Sequence, residues 1–412
     1  MTHPCKTATL IAFVALLSAG KAFTQAPSTE ASPEAKAAAP VAYVYVQTLK
    51  GVNLYDAAAN GKLTLVEGSP FQTVGQLIGS NGKYLITLET HDVHSYAVEP
   101  NGAIGKQVSE INTQDYAGAE CGPGTAAGDA NIDHTGKNVY VELVNEGWCT
   151  AIQTFDIAKS TGHLTFNGEA VPGGNAGYGL SNMPSIIGND TFAYAASDFG
   201  CCGSPPGWSG FVRKSDGTME DMTFNLSNDS GLTLPFAYVP YLVTADPANH
   251  VAAVVSYNTG ESEYGPPQLA SYAVDSKGNF STTSTRKNMP YPKIYPTSLN
   301  MSPAGNLLAV AGWTNEGDAT LPGLQIFHFN GAAPVTPFSG RLTKSPIYEI
   351  HWDNNDHLYA LGGPGLYVYT ITPTRITEAP GSPYSIQTEN HETCTQYSFV
   401  GCPNGLVVVP KL

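Results

Sequence analysis

His134-Thr135-Gly136-Lys137-Asn138-Val139-Tyr140-Val141 is a polar turn that runs straight into an apolar strand, and the chain repeats the phrase. It returns as Ser80-Asn81-Gly82-Lys83-Tyr84-Leu85-Ile86 and as Pro303-Ala304-Gly305-Asn306-Leu307-Leu308-Ala309-Val310. A companion phrase, a chain-reversing Gly before a Leu-Thr-type strand, occurs as Asn60-Gly61-Lys62-Leu63-Thr64, Thr161-Gly162-His163-Leu164-Thr165 and Ser339-Gly340-Arg341-Leu342-Thr343. Self-similarity at a period of about fifty residues marks an array of supersecondary units, none of which can bury its own apolar face alone.

Aligned on these phrases, the chain resolves into seven units. First strands fall near residues 76–78, 130–133, 184–187, 241–245, 297–302 and 347–352, and second strands near 83–89, 138–144, 192–197, 250–258, 306–313 and 357–362. Third strands alternate toward an aromatic, as in Val93-His94-Ser95-Tyr96 and Leu366-Tyr367-Val368-Tyr369. Period-two alternation with Gly, Asn, Asp and Pro between the runs predicts antiparallel hairpins. No window carries a useful helical period. The run 42–47 is a second-type strand with no first strand before it, and 405–409 is an apolar strand with nothing after it. Pairing these ends leaves no sheet edge open, so the prediction is all-β: a seven-bladed β-propeller of four-stranded antiparallel blades over residues 41–412. Residues 396–400 compete for the closing position, but Pro403 and the turn at Cys402 favour the later run.

The ends and the composition narrow the setting. Residues 1–22 read as a secretory signal: Lys6, an apolar stretch from Ala8 to Ala19, then Gly20-Lys21-Ala22. The stretch is shorter than the roughly 20 residues a membrane span needs. Residues 23–40, rich in Ala, Pro, Ser and Glu, read as a tether. These segments imply an extracytoplasmic protein, periplasmic or secreted, with a retained N-terminal anchor as the alternative and no transmembrane segment in the mature chain. Losing residues 1–22 removes two lysines and no acids, leaving 17 basic against 34 acidic residues. Such a surface repels nucleic acid and anionic lipid, which are discounted as partners. A small molecule or a protein partner is expected instead, bound by a monomer.

Tyr43-Val44-Tyr45-Val46, the phrase Leu63-Thr64 with Gly68-Ser69-Pro70-Phe71, its echo Gly381-Ser382-Pro383-Tyr384 and the turn Ser302-Pro303-Ala304-Gly305-Asn306 resemble the lactonase-like, YVTN-type propellers. The resemblance covers residues 41–412, and its motifs build blades rather than chemistry. It implies His, Glu and Arg in the central channel, with an Asp-Leu-Gly stretch opening a blade. The chain has no Asp-Leu-Gly, and its arginines, 213, 286, 341 and 375, all fall on outer strands or outer hairpins by the repeat. Of the lysines, Lys293 and Lys344 alone fall in connections near the loop-rich face. A phosphorylated lactone, which needs Arg or several Lys at its phosphate, is disfavoured.

The long loops of one face carry the candidate binding residues: His91 and Asp92 in blade two, Glu120, Glu146 and Trp148 in blade three, Trp208 in blade four, Glu261 in blade five, Trp313 and Glu316 in blade six. Loops on a rigid scaffold are where binding usually sits; the plain alternative is a set of solvated loops. The candidate catalytic residues are Glu142 and His351, with hydrogen-bonded channel residues as the alternative. Three readings result: a face that binds a small neutral or cationic ligand or a partner, a lactone hydrolase using Glu142 or His351, or a structural envelope protein. No cofactor is required; the acidic face suits a hard cation such as Ca2+. Asp129-Ala130-Asn131-Ile132-Asp133 is not a calcium helix-loop, since His134 replaces its Gly and Tyr140 its Glu. No zinc-protease, Gly-x-Ser-x-Gly or phosphate-loop motif occurs.

Seven cysteines fall to six once Cys5 is removed, an even number suited to an oxidising compartment. No C-x-x-C is present, which argues against zinc. The expected bridges are Cys121–Cys149 and Cys394–Cys402, with Cys201 and Cys202 a vicinal bridge or a free pair. The first would close a loop worth roughly 3 kcal/mol. Mass mapping of the unreduced protein should recover the Cys121 and Cys149 peptides linked; a free Cys121 refutes the pairing.

Overall fold

The computed structural model describes residues 39–48, 50–116, 118, 125–144, 150–172, 180, 183–197, 207–222, 238–257, 265–313, 321–363, 365–386 and 405–411. These form seven four-stranded antiparallel sheets, the blades of a propeller. Blade two comprises Gln76–Ser80, Tyr84–Leu88, Asp92–Val98 and Ile104–Asn112, and blade three Ala126–Ile132, Asn138–Val144, Thr150–Ile157 and Leu164–Ala170. Blade four comprises Ser185–Ile186, Phe192–Ser197, Gly207–Arg213 and Met219–Asp221, and blade five Tyr238–Ala245, His250–Tyr257, Gln268–Val274 and Phe280–Ser281. Blade six comprises Tyr295–Met301, Leu307–Trp313, Gly323–Asn330 and Ala333–Pro337, and blade seven Ile347–Trp352, His357–Gly362, Gly365–Thr372 and Arg375–Glu378. Blade one is the seam: Leu406–Pro410 supplies its first strand, ahead of Ala42–Thr48, Gly51–Ala57 and Leu63–Leu65. The pairing expected of the two chain ends is present, in the register Ala42↔Pro410, Val44↔Val408 and Val46↔Leu406. The signal and tether segments, Glu120, Glu146, Trp148, Glu261, Glu316 and all six late cysteines lie outside the described residues.

Second strands such as Tyr84–Leu88 are buried along their whole length, because each sheet is covered on both faces by its neighbours. That double cover is why they read as unbroken apolar runs rather than as alternation. First strands contact one another around the ring and form its inner wall. Turns between first and second strands, and between third and fourth, emerge on one face of the ring. The loops between second and third strands, and those leading into each new blade, emerge on the other.

The turn face repeats two devices. First strands end in an acid that caps the turn: Asp353 Oδ1 accepts the Asn355 and His357 amides at 2.7 and 3.0 Å. Its Oδ2 binds His357 Nδ1 at 2.8 Å in a fully buried pair. Burial opposes ionisation of Asp353, but the His357 hydrogen bond and charge overcome it and hold the carboxyl below its ordinary range. Asp246 repeats the arrangement with His250, and Asp133 uses Arg213 in place of histidine.

The second device is a glycine in the turn between third and fourth strands, seated on the start of the second strand of the preceding blade. Gly102 has φ +83°, and a Cβ there would meet the ring of Tyr43 at 2.7 Å. Its carbonyl accepts the Tyr45 hydroxyl at 2.7 Å. Tyr140 and Tyr194 likewise donate to the Gly217 and Gly278 carbonyls of the following blades at 2.8 and 2.7 Å. The same close contact recurs at Gly61, Gly162 and Gly331, against His357, Tyr84 and His250. The chain-reversing Gly of the repeated phrase is therefore a blade-to-blade contact at Gly61 and Gly162, whereas Gly340 follows the fourth strand of its blade with open space around it, and Gly331 makes that blade's contact.

Gly82 shares the φ of +83° with Gly102 but has open space around its Cβ direction. The two sites separate backbone strain from packing. Gly82→Ala should cost about 1 kcal/mol through the backbone alone. Gly102→Ala should cost about 1–3 kcal/mol more, from forced displacement of Tyr43. Urea unfolding measures both; equal losses would remove the turn from the packing of the ring.

Candidate functional site

Five first strands carry a bulge at the same level near the loop face. The extra residues are Ile78, Gly128, Tyr241, Thr297 and Tyr348, seen where registers jump from Leu77 to Gly79, Ala127 to Asp129, Pro240 to Leu242, Pro296 to Ser298 and Ile347 to Glu349. A bulge re-aims the side chains beyond it, a device common beside functional sites. In blades three and seven the residue after the bulge is acidic: Asp129 and Glu349. Their charges act on each other although blades three and seven are not neighbours, so the interaction runs across the channel.

Glu142 is the cross-strand partner of Asp129. Two residues earlier in the same strand, Tyr140 packs with blade four, and the Leu180 amide at the opening of that blade donates to the Glu142 carboxylate. Gly128, the bulge residue, lies beside the Glu142 carboxylate: a Cβ on it would be in ordinary contact with Oε2 at 3.6 Å and tighter against Val144 at 3.1 Å. Glu142 is only 5% exposed, and Oε1 has no hydrogen-bond partner among the described residues. Loss of hydration, with Asp129 adding repulsion and the Leu180 amide opposing, raises its pKa to about 8. Asp129 is open to the channel yet surrounded by protein. Its pKa rises to about 6, chiefly through lost hydration, with Glu349 adding and the Ala130 amide opposing.

Across the channel, His351 Nε2 lies 2.9 Å from Glu349 Oε1, while Glu349 Oε2 accepts the Leu406 amide at 2.9 Å. Glu349 thus ties blade seven to the closing strand and orients His351. Glu142 and His351, both singled out in the sequence, lie at this level of the ring with Asp129 and Glu349, which were not singled out. The available signal was weak: Asp129 sits in a failed calcium-loop match, and Glu349 two residues from His351. The bulges that place them have no mark in the alternation.

The other candidates fall elsewhere. Asp92 accepts the Asn112 amide group at 3.0 Å, and His91 Nδ1 lies 3.1 Å from Gln114 Nε2. Both anchor the 3-10 turn Thr113–Tyr116 beside the blade-two loop. Trp208, read as a loop residue, lies in a strand, packed edge-on against Tyr272 and Phe280 between blades four and five. Its apolar ring fills that junction. Trp313 ends a second strand, 6.1 Å from the ring of the bulged Tyr348. The Arg213 side chain does not stay on its outer hairpin. It turns inward to Asp133 and Tyr140 on the turn face. Among the described residues no cluster of three or more His, Cys, Asp or Glu is placed to hold a metal ion. None of the described helices is long and apolar enough to cross a membrane.

No family model matches the sequence, and no curated protein matches it either. Solved structures do match. Two Bacteroides proteins proposed to be 6-phosphogluconolactonases align with TM-score 0.53: one from B. fragilis at 12% identity over 82% of this chain and 93% of its own, one from B. uniformis at 14% over 82% and 94%. The periplasmic gluconolactonase of Pseudomonas aeruginosa aligns with TM-score 0.50 at 11% identity, over 89% of this chain and 99% of its own. The likeness is one of fold alone: these proteins share the architecture of this chain's seven four-stranded blades.

The raised Glu142 pKa has a testable sign. A folded value near 8 against an ordinary value near 4.5 means that the folded state holds the proton more tightly. The stability this gives is complete below pH ~4.5 and is lost as pH rises toward 8, a loss on the order of a few kcal/mol. Glu142→Gln cannot ionise and should escape the loss. Melting curves of the two proteins should coincide near pH 4.5 and separate by pH 8.5, the variant melting higher. Parallel curves would mean that Glu142 titrates normally.

Proposed function

We propose that the protein is an exported propeller whose channel mouth binds a small neutral or cationic ligand around Glu142. The reading rests above all on one observation: a buried Glu142 whose Oε1 has no partner among the described residues, in an acidic channel. A buried polar atom without a partner costs about 1–3 kcal/mol, and a ligand hydroxyl or ammonium group would relieve that cost. Asp129 and Glu349 would favour a cation or hydroxyls and oppose an anion. The apolar stretch at residues 8–19 supports export. Among proteins sharing the fold, the one from P. aeruginosa is periplasmic by name.

A second reading, lactone hydrolysis, is favoured by the two carboxyls whose pKa values are pushed apart, near 8 and near 6. His351, oriented by Glu349, would take a proton from water as it attacks the lactone carbonyl. As the ring C–O bond breaks, protonated Glu142 would give its proton to the leaving oxygen, and the product is a hydroxy acid. Phosphorylated lactones are opposed by Asp129 and Glu349, although Arg286, stacked on Tyr257, and Arg341, bonded to the Pro322 carbonyl, lie in loop-face connections rather than on the outer hairpins expected from the sequence. Ca2+ would be held by Asp129 or Glu349, without a third ligand from the described residues.

Calorimetry with neutral sugars, unphosphorylated lactones and small amines, alongside a hydrolysis assay with and without Ca2+, tests both. Binding without turnover, weakened at least tenfold by Glu142→Gln, is the expected result. Turnover abolished by that variant would favour the hydrolase. Neither binding nor turnover across the panel would leave a structural envelope protein.

A further inference from the structure

On the turn face, opposite the channel mouth, blades two, three and four enclose a cleft of about 800 Å3. It gathers Lys83, Lys137, Lys159 and Arg213 in a chain whose formal net charge is −15. The three lysines are exposed and form no ion pair, the described lysine pair being Lys214 with Glu220. Arg213 differs from them. Its side chain is 8% exposed and is fixed by Asp133 through Nη2 and by the Tyr140 hydroxyl, which Nε reaches at 2.8 Å. Nη1 donates no hydrogen bond to a described residue, and it belongs to a side chain held rigid against the cleft.

The walls also carry carboxylates. Asp156 accepts the Asn138 and Asn167 amide groups on Oδ1, at 2.6 and 3.1 Å, and Asp216 accepts the Thr218 amide and hydroxyl on Oδ1 at 3.0 and 2.7 Å. In each acid Oδ2 accepts no side-chain or amide hydrogen bond from another described residue. Cations with a pre-fixed guanidinium call for an oxyanion. Carboxylates among them discriminate against bare or dense anionic charge and accept hydroxyl donors instead.

We propose that this cleft is a binding site for an anionic, polyhydroxylated ligand: a sugar bearing a carboxylate or a phosphate, with its oxyanion on the lysines and Arg213 Nη1 and its hydroxyls on Asp156 and Asp216. It is separate from the channel, whose charge is of the opposite sign, and it does not depend on what the channel does.

Calorimetry on the full chain would use galacturonate and a short oligogalacturonate as carboxylate probes, glucose 1-phosphate as the phosphate probe, and inorganic phosphate as an anion without hydroxyls. Saturable binding of a sugar anion, weakened by added NaCl and at least several-fold tighter than inorganic phosphate, is expected. Which sugar anion binds tighter identifies the source of the oxyanion. The variant Lys83→Ala/Lys137→Ala/Lys159→Ala should lose about tenfold or more in affinity, since three exposed charges act together. Lys62→Ala/Lys106→Ala/Lys277→Ala, with the same change in net charge, should bind as wild type, and so should Glu142→Gln. The proposal is overturned if no sugar anion saturates the protein, if inorganic phosphate binds equally well, if both lysine variants bind alike, or if Glu142→Gln abolishes binding.

Discussion

The ring is held to its geometry by a contact with no room in it: the glycine of one blade's outer turn lies against the aromatic or histidine side chain that opens the second strand of the blade before. Five of the seven junctions use it, Gly217 meets Asn138 instead, and the turn Thr372-Pro373-Thr374-Arg375 manages the last one without glycine. Because a Cβ cannot enter most of these contacts, neighbouring blades sit at a fixed separation on the turn face. At three junctions a tyrosine hydroxyl adds a hydrogen bond to a turn glycine carbonyl. Rotation of one blade against the next would break the packing and the bond together. The closure of Ala42–Thr48 on Leu406–Pro410 then completes a circle whose size the junctions have already set.

The fold was legible because both halves of the repeated phrase report on this constraint. Turn residues mark the first-to-second connection, and the lone Gly before a Leu-Thr strand marks the junction. Unbroken apolar runs mark sheets covered on both faces. The site was legible only in part. Glu142 stood out as an acid near the start of a long loop, and His351 as a histidine on an inner strand. Asp129 and Glu349 did not, because a bulge is a register event: it leaves the composition of a strand unchanged while re-aiming the side chains beyond it. Trp208 was misplaced for a related reason, since the Gly- and Pro-rich residues before it extended the apparent loop into a strand. Arg213 was assigned by the position of its backbone, but a long side chain ends several ångströms away, and its guanidinium lies beneath blade three rather than out on its own hairpin.

The channel mouth and the turn-face cleft handle charge differently. At the mouth, carboxyls crowd one another, and lost hydration raises their pKa values. On the turn face, acids are matched with cations, as Asp353 is with His357 and Asp133 with Arg213, and spare positive charge accumulates in one cleft. A single overall charge conceals this division.

The five bulges at one level of the inner wall have a consequence for how such a chain can change over time. Below that level, inner-strand residues belong to the junctions and the caps, where substitution disturbs the ring. At the bulge and above it the parity of the strand is reset, so the residues there, Asp129 and Glu349 included, are released from the pattern that governs packing. A mutation at 129 or 349 can alter the chemistry of the rim without moving a blade, and an insertion beside it meets a strand that already accommodates one extra residue. The bulge layer acts as a seam between a constant chassis and a variable rim, and divergence among proteins of this architecture should concentrate above it.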